Sequence, residues 1–175
     1  YGAYMLAVPI LVTLTDRIDP KRIYLLGVGL TVIGHLLFGM FAEGFWSALA
    51  CRALTGIGWA GTYMTGLKLL ADRVDARLMS RATAGHAASI GLSGAASFAT
   101  GELLSRHFGW QSAFIAASIS AALAWLIIAL VVPAQQKKAA KAKDGGGLYD
   151  FRPVFRNSSA MAYAIGYCVH TLEMS

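Results

Sequence analysis

The sequence predicts an all-α, polytopic transmembrane bundle, and three observations carry that prediction. Hydrophobic residues make up 57% of the 175 and charged residues only 14%, against about a quarter charged in an ordinary soluble domain. The apolar residues arrive in runs of roughly twenty, the length at which a helix crosses a hydrocarbon core of about 30 Å. The charged residues cluster between these runs, and the basic ones favour alternate connections, as retention of Lys and Arg on the cytoplasmic side requires.

The first run, Tyr1 to Thr15, is apolar with Pro9 inside it and reads as the last part of a spanning helix. It ends at Asp16-Arg17-Ile18-Asp19-Pro20-Lys21-Arg22. Ile23 to Phe41 is long enough to cross and closes on the tight turn Ala42-Glu43-Gly44-Phe45. Trp46 to Ala71 follows as one run and stops at the charged stretch from Asp72 to Arg81. Ala82 to Leu104 is rich in small residues and leads through Ser105-Arg106-His107-Phe108-Gly109 into the fifth run, Trp110 to Val132, which Pro133 terminates. The polar segment 134–157 then precedes a sixth run beginning near Ser158. Tyr1 is not an initiator methionine and the last run is still open at Ser175, so the sequence reads as a piece of a longer chain.

Orientation follows from the basic residues. Connections on one side hold Arg17, Lys21, Arg22, Arg73, Arg77, Arg81, Lys137, Lys138, Lys141, Lys143, Arg152 and Arg156, while those on the other hold Arg106 alone. Loops 16–22, 72–81 and 134–157 are therefore expected in the cytoplasm. Trp46 and Trp110 open the two helices that start outside, at the interfacial depth an indole prefers. Residues 1–133, 134–157 and 158–175 are expected to be a helical half-bundle, a central linker and the start of a second half. The lysines and triple glycine of the linker suit a solvated, flexible connection, with contact to anionic lipid as the alternative.

The net charge of +6 does not indicate nucleic acid, because the basic residues form no continuous stripe with aromatics. Cys51 and Cys168 lie inside apolar runs without metal-ligand spacing, and neither a metal nor a cofactor is expected. Gly56-Ile57-Gly58-Trp59-Ala60-Gly61 spells a dinucleotide motif, but it sits inside a spanning run with no strand before it. Gly85, Ser89, Ser93, Ser97 and Gly101 recur every four residues along one helix face, and Gly56 and Gly58 repeat the device in the preceding run. Such faces let helices approach closely in lipid; lining a solute path is the other use of the serines.

Gly91-Leu92-Ser93-Gly94 matches the tetrapeptide around the serine of rhomboid intramembrane proteases, with His35, His86 or His170 as conceivable bases. An enzyme of that type, with Ser93 as nucleophile, is the competing reading from another class. Arg52 lies about 9 Å into the third run. An arginine at that depth is costly unless it faces a cavity or partner, the alternative being snorkelling to the outer interface.

The charged connections carry a family resemblance. Val12-Thr13-Leu14-Thr15-Asp16-Arg17-Ile18-Asp19-Pro20-Lys21-Arg22 resembles the loop signature between helices 2 and 3 of the major facilitator superfamily, close to G-x-L-a-D-R-x-G-R-K. Leu14, Asp16, Arg17 and Lys21 match; Val12 and Asp19 replace glycines and Pro20 replaces a basic residue. Arg52-Ala53-Leu54-Thr55-Gly56-Ile57-Gly58 is similar to the helix 4 signature R-x-x-x-G-x-G, and Gly109-Trp110-Gln111-Ser112-Ala113-Phe114 to the G-W-R-x-x-F that opens helix 6. The Gly-Pro of family antiporters is absent from helix 5, where Ala96-Ser97 stands.

The resemblance implies part of helix 2 through the start of helix 7 of a twelve-helix transporter in a bacterial inner membrane. It implies movement of a small solute by alternating access, coupled to protons or another ion. Asp16, Arg17, Lys21 and Arg22 then belong to a cytoplasmic gate, and Arg52 to coupling. Tyr63, Tyr163, Tyr167 and His170 become candidate solute contacts, since helices 1, 4, 7 and 10 line the family's cavity, and the polar groups His86, Ser89 and Ser93 of helix 5 are candidates beside them. A non-transporting membrane protein of the same fold is the third reading.

Overall fold

The computed structural model describes residues 1–134 and 152–173, without the side chains of residues 153, 167, 168 and 170–173. Among these residues it contains eight helices and no strand. Two units divide it, Tyr1–Ala140 and Lys141–Ser175.

In the first unit, α1 spans Gly2–Leu14 and α2 spans Pro20–Phe41. Asp19 caps α2, its carboxylate accepting the Lys21 backbone N–H at 3.0 Å, and Pro20 takes the first helical position, where its missing N–H is harmless. Two of the three departures from the loop signature, Asp19 and Pro20, thus form a well-made helix start.

Helix α2 is the centre of the unit and packs on α3, Phe45–Ala60, and α6, Trp110–Val131. Glycine permits the α2–α3 approach. A β-carbon on Gly27 would lie 2.7 Å from the Gly58 carbonyl oxygen, and one on Gly34 would lie 2.5 Å from the Thr55 Oγ1. Two side chains of α6 tie it to α2: the buried Ser118 hydroxyl donates to the Val32 carbonyl at 2.9 Å, and the Trp125 indole donates to that of Leu25 at 3.0 Å.

The run expected to continue from Trp46 to Ala71 is broken. After α3 the chain tightens, with the Gly61 N–H reaching the Gly58 carbonyl at 3.1 Å and the Thr62 N–H that of Trp59 at 3.0 Å, before α4 begins at Tyr63 and runs to Ala71. Gly61 is pressed against the Gly27 backbone, so the break coincides with the closest helix contact. Helix α5, Met79–Phe108, extends beyond the predicted run at both ends and stops at Gly109, whose φ of 85° only glycine adopts readily. In the second unit, α7 is the single turn Arg152–Phe155, inside the polar segment, and α8 is Ser158–Glu173.

Of these, α2 and α6, at 22 residues each, are long and apolar enough to cross a bilayer alone. Helix α1 is apolar but shorter, α3 and α4 are short pieces on either side of a break, and α5 is long but diluted by serine, glycine and histidine.

Candidate functional site

The side chains facing the interior follow from helical spacing. Tyr24, Val28, Thr31 and His35 occupy one face of α2 at intervals of four, three and four, and Arg52 shares a face of α3 with Thr55, Gly56 and Trp59, at three, four and seven residues from the arginine. With Tyr1 and Tyr4, Thr62, and Ala121 and Ala124 of α6, they line a cavity of about 560 Å³. Arg52 enters this cavity over two aromatic rings, its guanidinium carbon 5.5 Å from the Phe38 centroid and 5.8 Å from that of Phe114. The rings pack on each other at 4.4 Å, and His35 lies 6.1 Å from Phe114. Contacts of a cation with ring faces offset part of the desolvation cost of the guanidinium. The His35 Nδ1 is buried without a hydrogen-bond partner.

His35 also lines a second cavity of about 560 Å³ against α5 and α6, with Ser93, Ser97, Thr100 and Gly101. The α5 hydroxyls are engaged on their own helix: Ser89 donates to His86, Ser93 to Ile90 and Ser97 to Gly94. A β-carbon on Gly85 or Gly101 would meet nothing within 4 Å, whereas one on Gly56 would touch α1 at 3.5 Å. The tightest glycine packing lies at Gly58, as its place in the small-residue face suggests, and at Gly27 and Gly34 of α2, which no such face marked. A third cavity, of about 420 Å³, contains Tyr24, Gly66, Arg73, His86 and Ser89. Beside it Tyr63 stacks on His86 at 5.9 Å and 28°.

At the charged end, Asp16, Arg17 and Arg22 are exposed. Lys21 turns inward, and its ammonium donates to the Ala129 carbonyl at 2.8 Å and the Val132 carbonyl at 2.5 Å, satisfying the C-terminus of α6. Arg73 joins it there, donating to the Pro133 carbonyl at 2.7 Å and pairing with the buried Asp19 carboxylate at 3.7 Å. Lys21→Met is expected to lower stability by about 1–2 kcal/mol, because two charge-assisted bonds disappear and carbonyls at the end of α6 lose a partner. Thermal unfolding of the purified variant measures it.

The structure therefore brings Arg52 together with His35, and Tyr63 with His86, and turns Lys21 onto the end of α6 while Asp16, Arg17 and Arg22 stay exposed. Tyr163 in the second unit is exposed, and the side chains of Tyr167 and His170 lie outside the described residues. The sequence reading missed Asp19 and Arg73 as a structural pair, and Tyr4, Thr31, Thr55 and Trp59 as cavity lining. The face spacing on α2 and α3 was the available signal for the last three. Among the described residues, no three His, Cys, Asp or Glu side chains converge as a metal site.

A family model described as Major Facilitator Superfamily matches residues 1–174. A Haemophilus influenzae (strain Rd) protein named "Putative metabolite transport protein" is 33% identical over 100 residues, covering 53% of this chain and 24% of the relative. The match thus spans about a quarter of that protein's length. No solved structure matches the chain significantly.

Proposed function

The chain belongs to the major facilitator superfamily, and from that membership we propose that it forms part of a secondary transporter moving a small solute by alternating access, coupled to protons. The observation that carries the reading is the cavity entered by Arg52: a cationic, aromatic-lined space inside a bundle built for lipid. An ionisable group in that setting is expensive, and function is the usual reason for keeping one. The transporter family also points away from hydrolysis by Ser93, whose hydroxyl donates to its own helix.

In this reading residues 1–133 form the N-terminal half-bundle, 134–157 the linker, and 158–175 the start of the other half. Loops 16–22, 72–81 and 134–157 face the cytoplasm of a bacterial inner membrane. The halves rock about a midplane solute site. Arg52 serves coupling; Tyr63, His86, Ser89 and Ser93, with Tyr163, Tyr167 and His170 from the other half, contact the solute. Exchange of a labelled metabolite panel into preloaded proteoliposomes containing the whole protein tests transport itself, because counterflow needs no gradient; absence of exchange for every solute refutes it.

Asp16, Arg17, Lys21 and Arg22 form the cytoplasmic gate. Exposed Asp16 can accept hydrogen bonds from a helix N-terminus across the gate, while Lys21 holds the end of α6 to the same loop. Asp16→Ala is expected to reduce uptake about tenfold, the effect of losing one charge-assisted contact, and to increase labelling of cysteines introduced on the cytoplasmic side of the cavity. Unchanged uptake and labelling would remove the latch.

A further inference from the structure

Among the described residues, the cavity that Arg52 enters carries positive charge and is lined by no Asp or Glu. The ion pairs among the described residues engage Lys68, Arg73 and Arg106, and Arg52 is in none of them. Neither cavity that His35 lines contains an Asp or Glu. The Thr31 and Thr55 hydroxyls in the same cavity donate to the Gly27 and Cys51 carbonyls of their own helices. Of the basic groups in that lining, Arg52 offers five fixed N–H donors and His35 an Nδ1 without a hydrogen-bond partner, the pair best suited to receive an anion.

One side of the cavity is aromatic. Trp59 lies two turns, about 10 Å, along α3 from Arg52, and its ring meets that of Tyr4 at 4.7 Å and 36°. The occupant that fits has an anionic head at Arg52 and a planar apolar body reaching toward the Tyr4–Trp59 pair. At about 560 Å³ the space falls in the range of small-molecule sites. We infer that this cavity binds an organic carboxylate with an aromatic body, its carboxylate held by Arg52 and His35. The inference rests on the transport reading and specifies its cargo, adding Arg52 and His35 to the solute contacts proposed above, so that Arg52 both holds the solute and serves coupling. A free carboxylate gains bidentate geometry and charge pairing from the guanidinium, whereas a neutral amide of the same shape would leave the cavity-facing charge of Arg52 unpaired.

The test uses the whole protein in nanodiscs and measures equilibrium binding by calorimetry and Trp fluorescence, without a gradient. The ligands are benzoate, phenylacetate and 2-naphthoate, each against its neutral amide. At least one carboxylate is expected to bind about tenfold or more tightly than its amide, equivalent to about 1.4 kcal/mol. Arg52→Gln should erase the discrimination, Arg52→Lys should retain part of it by keeping the charge, and His35→Gln should weaken the carboxylate severalfold. Monodispersity and a thermal melt check that each variant is folded.

Equal binding of acids and amides, or no binding of any of the three carboxylates, overturns the inference. So does an Arg52→Gln protein that keeps carboxylate affinity but melts at lower temperature, which would assign the arginine to an acidic side chain of the protein. If neutral or cationic solutes still undergo counterflow in these cases, the transport reading stands and only the cargo assignment falls.

Discussion

Arg52→Gln is expected to abolish accumulation driven by a proton gradient while leaving the protein folded. The guanidinium is the charged group of the α3 face, held over the Phe38 and Phe114 rings at 5.5 and 5.8 Å. Glutamine keeps much of the length and some hydrogen-bonding capacity but removes the charge. A hydrogen bond to a charged group contributes about 1.5–3 kcal/mol, which translates to a loss of ~10–100-fold in initial uptake rate. The structural cost is small, because Arg52 is exposed to the cavity and makes no ion pair among the described residues. Initial rates of uptake with and without an imposed pH gradient give the answer. Uptake by Arg52→Gln that still follows the gradient would exclude this arginine from coupling.

The largest expected effect on stability lies elsewhere, at Gly27. A β-carbon there would stand 2.7–2.9 Å from backbone atoms of Gly58 and Gly61, which no side-chain rotation relieves. Gly27→Val must push α2 from α3 at the point where α3 breaks into α4. Overpacking of this kind costs about 3 kcal/mol, the upper part of the usual range, and here the obstacle is backbone. The variant is expected to show a lower melting temperature and reduced yield of monodisperse protein. Gly91→Ala on α5, where nothing lies within 4 Å of a new β-carbon, is the control and should melt at or slightly above the parent, since alanine is the better helix former. Equal melting of Gly27→Val would contradict the α2–α3 contact.

Much of the fold was legible because bilayer length and charge placement are one-dimensional signals. The end of α2 at Phe41 and both ends of α6 follow from the apolar runs, while α2 begins three residues before its run, at Pro20, because Asp19 caps it and Pro20 fits the first helical position. The break at Gly61-Thr62 was not legible, since glycine and threonine are common in spanning helices and the cause is the neighbouring Gly27 backbone, a contact between distant residues. The same limit explains the glycines. Of the glycines whose spacing marks them for packing, Gly58 makes a close approach while Gly85 and Gly101 meet nothing within 4 Å, and Gly27 and Gly34, which face α3 from α2, carry no regular spacing because the neighbouring helix decides.

The candidate site was half legible. Arg52 stood out because a charge within an apolar run has few neutral explanations. Its companions His35, Thr55 and Trp59 needed the relative rotation of α2 and α3, which no single sequence states. Lys21 carried a gating expectation from its motif alone, but its bonds to the Ala129 and Val132 carbonyls depend on where α6 ends in space. Asp19 looked like a departure from a glycine; its carboxylate is the cap of α2 and the partner of Arg73.

The most direct test of proton-coupled transport is solute uptake by proteoliposomes of the whole protein under an imposed proton gradient, with an uncoupler added at steady state. The account predicts accumulation above equilibrium that collapses on uncoupling; flux that only equilibrates, indifferent to the gradient and the uncoupler, would contradict it.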